Sequence, residues 1–434
     1  MRAVGSGHSW SDVALTTGYL IETHGLNRPL EPDCVRRDWA GPALARVEAG
    51  MRLRDLNRLL AGRAQALSQM GGYDAQTVAG VLATSTHGSG IELGPLPAFA
   101  RSLDIVAADA RVHRIEPADG PTDAAAFARE HPGWELHRDD HWFDAAVVGM
   151  GCMGVLYAVT LAVEDAYWLT EVRELRRWPE VRAELPRALA GNRHYEVYLN
   201  PYGERRCIVC RRNRTRDPRR PRAADRLRRH WWIELLSRLK ITPVVARALT
   251  DLDPESGPAR LDQLLGWLAD NEYTGPSYKV LNIGAANLLP AYSAEIGVPL
   301  AQDRHLAAVD VITRIAEERR RLGGVVHTSP IALRFVRGSS AYLSMMHGRD
   351  TMMIELIQMT GTDGGYELLG AYEDALYELG GRPHWGQVNT LTGSHDRLRR
   401  LYPQLDRWLD VHDRLNAGGV FDGPFSKRVG IAGR

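Results

Sequence analysis

Three glycine-rich loops crowd the first third of the chain: Val4-Gly5-Ser6-Gly7-His8-Ser9, Thr84-Ser85-Thr86-His87-Gly88-Ser89 and Gly149-Met150-Gly151-Cys152-Met153-Gly154. Backbone N–H groups in such loops form a concave anion site suited to a pyrophosphate, and glycine lets the chain press close. None of the loops is a GxGxxG between strand and helix or a GxxxxGK[ST], so neither a Rossmann dinucleotide fold nor a nucleotide triphosphatase is indicated. His8 is the odd member. An imidazole does nothing for a phosphate that glycine would not do better, so it has another task. Cys207 and Cys210, in RRCIVCRR, have CxxC spacing. That run reads as a strand, where positions i and i+3 face opposite sides. With Cys34 and Cys152 they are read as ordinary structural cysteines, outside any disulfide framework. No metal site is expected.

These groups need a frame to position them. In the first 165 residues Leu53, Leu56, Leu59 and Leu60 share one face of a helix, and SLDIVAAD with ARVHRIEP reads as a hairpin. The third glycine loop runs into VLYAVTLAVED, an alternating apolar run that reads as a strand. From residue 166 the texture changes. HYEVYLNPYG, ERRCIVCRR, ALRFVRG, AYLSMMHGRD and TMMIELIQM read as a strand-rich α+β unit, and residues 309–324 as an amphipathic helix closed by glycine. Two domains are expected, 1–165 and 166–434, as suits 434 residues of which 44% are hydrophobic.

A net charge of +1 gives no overall pull toward nucleic acid or acidic lipid. No apolar run reaches the length of a membrane span and the start is not a secretory signal, so a cytoplasmic address is expected. The basic stretch 211–240 reads as a solvated loop followed by an amphipathic helix bearing Trp231, Trp232, Leu235, Leu236 and Leu239. A weak membrane-surface contact is the alternative for it, and nucleic acid is not expected.

Taken together, VGSGHSWSDVALTTGYLIETHGLN, YDAQTVAGVLATSTHGSG, MGCMGVLYAVTLAVED and RPHWG resemble the aldonolactone and alditol oxidase group of the vanillyl-alcohol oxidase superfamily. The resemblance covers essentially the whole chain. It implies an α+β flavoprotein of two domains: an FAD-binding domain, then a substrate domain with a large antiparallel sheet whose carboxy-terminal segment returns to the flavin. It further implies that Val4, Gly5, Ser6, Gly7 and Ser9 hold the FAD pyrophosphate and that His8 bonds covalently to the flavin 8α-methyl. Gly80, Thr84, Ser85, Thr86, His87, Gly88 and Ser89 would wrap the cofactor. Gly149, Gly151 and Gly154 would admit it, with Val155 leading into the next strand.

Two departures from the family pattern matter. Family members carry a strand–helix–strand segment before the first loop, whereas here the loop starts at Val4 with no strand expected ahead of it, so the FAD domain is expected to be short at its amino end. Related oxidases also carry Glu-x-Arg on a substrate-domain strand, a histidine on the next and a lysine closing HWGK. Here the corresponding residues are Ala332 with Arg334, then Glu355, then Gln387 after His384. Oxidising an alcohol requires a hydride acceptor and a base. The resemblance therefore assigns Arg334 as the cation, Glu355 as the base and His384 as its proton partner, with Gln387 completing the lining. The expected activity is FAD-dependent oxidation of a CH–OH group in a sugar-derived, polyol or lactone substrate, with oxygen or another electron acceptor. The alternatives are a membrane-associated flavin dehydrogenase passing electrons to a carrier, and a non-catalytic flavin-binding protein.

Overall fold

The computed structural model describes residues 1–216, 256–269, 271–283, 290–323, 325–393 and 395–432. Residues 217–240 of the basic stretch, including its tryptophans, lie outside them. No helix among the described residues is long and apolar enough to cross a membrane.

Contrary to the sequence reading, the first glycine loop does follow a strand. β1 (Arg2–Val4) pairs in parallel with β2 (Leu20–Glu22) and delivers the chain into Gly5. A seven-stranded sheet then uses β3 (Pro29–Leu30), β4 (Ala43–Glu48), β5 (Gln65–Ala66), β6 (Ala100–Val106), β7 (Val112–Glu116), β8 (Glu135–Arg138) and β9 (Val155–Asp165). Its order is β3-β4-β9-β6-β7-β8, with β5 attached to β9. The expected hairpin is β6 with β7, and the strand after the third glycine loop is β9, a central strand in which Ala158 to Val163 are buried on both faces.

An eight-stranded sheet follows, built from β10 (Trp168–Arg177), β11 (His194–Leu199), β12 (Arg206–Thr215), β13 (Asn271–Pro276), β14 (Ala291–Pro299), β15 (Ile331–Val336), β16 (Thr351–Met359) and β17 (Arg382–Pro383). The order is β13-β10-β12-β11-β15-β16-β14-β17, and every pairing is antiparallel. Cys207 packs in the core on one face of β12 and Cys210 in a separate cluster, as the period of two requires. The helix expected at 309–324 begins earlier, at Arg304, and ends at Gly323. AYLSMMHGRD is not a strand. Ala341 to Met346 are all buried, but in turns, and Gly348 adopts a left-handed conformation that ends the run. The chain then recrosses to the first half. Trp385, Trp408, Phe425 and Val429 join the same hydrophobic core as Val47, Leu103 and Val159, so residues 385–431 close over the first sheet.

Candidate active site

Two cavities meet near the first glycine loop. The first is lined by Val4, Gly5, Ser6, Gly7, His8 and Ser9, by Gly80 and Thr84, and by Gly149, Gly151 and Gly154. Folding thus brings the first and third loops and the start of the second into one wall. Gly7 has φ +69 with nothing near its Cβ position, so it offers bare backbone to the cavity. Gly154 has φ +141, and a Cβ there would stand 2.5 Å from the Val106 carbonyl, so only glycine fits. Arg2, which sequence reasoning missed, holds the loops together. Its buried guanidinium donates to the carbonyls of Gly151 (2.9 Å), Met150 (2.6 Å) and Phe421 (3.1 Å) and to that of Val13.

Four expected residues line neither cavity. Ser85 is turned away at φ +58, its hydroxyl bonded to that of Ser344 at 2.8 Å. Gly88 is pressed against the Met70 carbonyl, where a side chain would collide. Val155 pairs with Val106 in the sheet. Ser89 is likewise buried, its hydroxyl bonded to the Tyr195 carbonyl and to the Phe335 N–H.

The second cavity, about 400 Å³, is lined by Thr86, His87, Arg334, Glu355, His384 and Gln387, so all four residues proposed for catalysis converge there. The cross-strand register explains how. Glu196 on β11 faces Arg334 on β15, and Glu295 on β14 faces Glu355 on β16. The Arg334 Nη1 lies 2.5 Å from Glu355 Oε2 and 3.5 Å from Glu295 Oε1, while its Nε lies 3.6 Å from Glu196. The ion pairs continue through Arg212 (2.9 Å from Glu196) and Glu171 to Arg173, which returns to the cavity wall beside Tyr198. Ala332 therefore does not strip acid from the site, as its replacement of the family glutamate suggests in sequence. Glu196 and Glu295 bring carboxylates to Arg334 from neighbouring strands.

Proton positions follow from the partners. The His87 Nδ1–H donates to the Gly88 carbonyl at 2.8 Å, and its Nε2 faces Glu295 Oε1 at 3.2 Å, so one proton lies between ring and carboxylate. The Gly386 N–H donates to His384 Nδ1 at 3.1 Å, which leaves the ring proton on Nε2. Burial lowers the His384 pKa to about 4, keeping the ring neutral at pH 7. Burial also pushes Glu355 above the usual carboxylate range, against the pull of Arg334 and with help from Glu295. For Glu295, burial acts upward but the charge of His87 and its hydrogen bond hold the carboxyl well below that range. Adjacent carboxylates thus titrate apart, the pattern that separates acid from base.

Four residues, His8, Ser9, Gln76 and Thr84, line both cavities, so His8 stands at the junction. Its ring meets Tyr73 edge-on at 4.7 Å, and partial burial, then the nearby Arg52 cation, lower its pKa. Three buried polar atoms on these walls have no partner among the described residues: Arg2 Nε and Ser6 Oγ in the first cavity and Gln387 Oε1 in the second. Together with the bare Gly7 backbone, they fit an elongated ligand with a pyrophosphate at its middle and a hydrogen-bonding ring system beyond it, as FAD has.

Residues 1–116 match the FAD binding domain family, and residues 159–429 match the family described as D-arabinono-1,4-lactone oxidase. Among curated proteins, the chain is 28% identical to an L-gulono-1,4-lactone dehydrogenase of Mycobacterium tuberculosis, over 99% of this chain and 90% of that one. It is 25% identical to the mouse L-gulonolactone oxidase (99% and 89%) and 28% identical to an alditol oxidase of Streptomyces (97% and 88%). Among solved structures, cholesterol oxidase from Brevibacterium sterolicum superposes with a TM-score of 0.74 at 14% identity, covering 99% of this chain and 89% of that one. Fold and site define an FAD-dependent oxidoreductase with the vanillyl-alcohol oxidase type of architecture. The chain belongs to the D-arabinono-1,4-lactone oxidase family.

Proposed function

We propose that the protein oxidises a CH–OH group of a sugar-derived lactone or polyol, with FAD held across the junction of the two cavities and bonded covalently through His8. The observation that carries this reading is the convergence of Arg334, Glu355, His384 and Gln387 on a cavity that shares His8 with the glycine-loop cavity. The names of the relatives support the substrate class. Residues 1–165 are proposed as the FAD-binding domain and 166–434 as the substrate domain, whose carboxy-terminal segment returns to pack on the first; the change of sheet between β9 and β10 supports the division.

When bound, FAD supplies the hydride acceptor. The protein supplies the rest. Glu355, with its pKa raised by burial, is suited to receive the hydroxyl proton at Oε. Arg334 holds that carboxylate in place and provides fixed positive charge where negative charge develops. His384 Nε2–H serves as a neutral donor, and the His87–Glu295 pair keeps one proton in reserve beside it. Ile357 and Met359 make part of the cavity wall apolar. His8 would hold the flavin at its 8α-methyl, and its lowered pKa favours the neutral imidazole that such an attachment would require.

The test is turnover of purified holoprotein with aldonolactones and alditols, following oxygen uptake and reduction of an artificial dye in parallel. Activity with one of these substrates supports the reading. Activity with neither class, in protein whose FAD is fully loaded, refutes it.

A further inference from the structure

A cluster of ionisable side chains remains outside the active site, at the edge of the first sheet. β7 and β8 pair in parallel with His113 opposite Glu135 and Ile115 opposite His137, so His113, Glu135 and His137 project from one face of neighbouring strands. Their ligand atoms are mutually close: His113 Nδ1 lies 3.0 Å from His137 Nε2 and 3.6 Å from Glu135 Oε2, and His137 Nε2 lies 3.7 Å from that same oxygen.

We propose that His113, Glu135 and His137 form a binding site for a divalent cation of the zinc class. The triangle fixes the argument. Its corners are all about 2.0 Å from one central point, and zinc bonds to imidazole nitrogen and carboxylate oxygen at about 2.0–2.2 Å. An ion at about 2.1 Å from each corner stands about 0.6 Å off their plane, close to the roughly 0.7 Å of a regular tetrahedron. Three protein ligands leave the fourth position to water. A two-histidine, one-carboxylate set selects a borderline transition metal over calcium or magnesium, which prefer oxygen.

The surroundings orient each ligand. Both Asp109 oxygens sit 3.2–3.3 Å from His113 Nε2, so that nitrogen carries the proton and Nδ1 presents its lone pair to the cluster. The His137 ring stacks on Trp142 with centroids 3.9 Å apart and planes 8° apart, which fixes its rotation. Arg111 binds Glu135 Oε1 at 2.6 Å and leaves Oε2 to the cluster. Without metal, His137 Nε2–H donates to His113 Nδ1; metal displaces that proton to solvent. Such an ion would clip the four-residue edge strand β8 to β7, which pairs with β6, whose Leu103 and Ile105 line the glycine-loop cavity. The other three-residue group among the described residues, Asp33, Cys34 and His131, is a poor rival. Asp33 is already bound to Arg46 at 2.6 Å and Arg114 at 2.8 Å, and burial pushes the Cys34 thiol up to about 11.

Cobalt is the probe, because four-coordinate Co²⁺ gives intense visible bands at longer wavelength than flavin absorption. Full-length protein is stripped with EDTA, desalted and titrated with Co²⁺, and metal content is measured after dialysis. The site predicts one Co²⁺ per chain with those bands, displaced by Zn²⁺, lost in His113→Gln and His137→Gln and retained in Cys34→Ser. The proposal is overturned if Co²⁺ is not taken up, or if uptake survives both histidine substitutions. Should His113→Gln fail to fold, the more exposed His137→Gln and Glu135→Gln decide the matter by the same readout.

Discussion

Replacing Arg334 by glutamine removes the cation around which Glu196, Glu295 and Glu355 are gathered at 3.6, 3.5 and 2.5 Å. Breaking a buried ion pair on one side costs about 3–5 kcal/mol, because a charge is left without compensation. Glu355, whose pKa is already raised by burial, responds by binding a proton, so the folded state survives at reduced stability. A protonated Glu355 cannot accept the substrate proton. Together with loss of the fixed cation, worth about 2.7–4 kcal/mol in comparable sites, flavin reduction should slow by at least 10²-fold. Stopped-flow reduction under anaerobic conditions measures the rate, and urea unfolding measures the stability. The double variant Arg334→Gln with Glu355→Gln separates the two roles. Removing both charges together restores most of the stability but none of the rate. Recovery of the wild-type rate in the double variant, or a single variant within threefold of wild type at equal FAD content, would refute the catalytic assignment and leave a purely structural pair.

His8→Ala should hold FAD only noncovalently, so denatured variant loses its yellow colour on gel filtration while denatured wild type keeps it; colour lost from both would remove His8 from that role. Glu373 is buried, accepts hydrogen bonds from the Thr390 N–H and the Tyr377 hydroxyl, and burial lifts its pKa to about 7. The folded state therefore binds the extra proton between the ordinary value near 4.5 and 7, and stability should fall by about 3 kcal/mol as pH rises through that window. Glu373→Gln should flatten this fall and be more stable than wild type at pH 8 in urea unfolding, whereas parallel pH curves would contradict the assignment. Gly5→Ala would drive a methyl into the Thr77 hydroxyl, which caps the helix Val78–Ala83 by accepting the Gly80 N–H. Loss of the cap costs about 1 kcal/mol, and in a His8→Ala background, where FAD is held only noncovalently, FAD retention on dialysis should drop, with unchanged retention counting against the loop's role.

Local pattern was enough for much of this architecture. The β6–β7 hairpin, the strand after the third glycine loop and the TMMIELIQM strand were legible because alternation with period two and glycine punctuation are written locally, whereas Glu355 was picked out only through the family resemblance. The AYLSMMHGRD run misled for the converse reason: Ala341 to Met346 are mostly apolar and all buried, and burial alone does not distinguish a strand from a packed turn. Arg2, Glu196 and Glu295 were invisible as site residues because their meaning lies in pairing between strands far apart in sequence. A charged residue inside an otherwise apolar strand, as in AYSAEIGVP and HYEVYL, was the one available signal. His113 and His137 likewise gain a relation only through the β7–β8 register.

The most direct test of the account is anaerobic titration of the bound flavin with a panel of aldonolactones and alditols. At least one of these substrates should bleach the flavin of the wild-type protein within turnover time, and Glu355→Gln should slow the bleaching while leaving FAD bound. A flavin that dithionite reduces at once but that no lactone or alditol bleaches would contradict it.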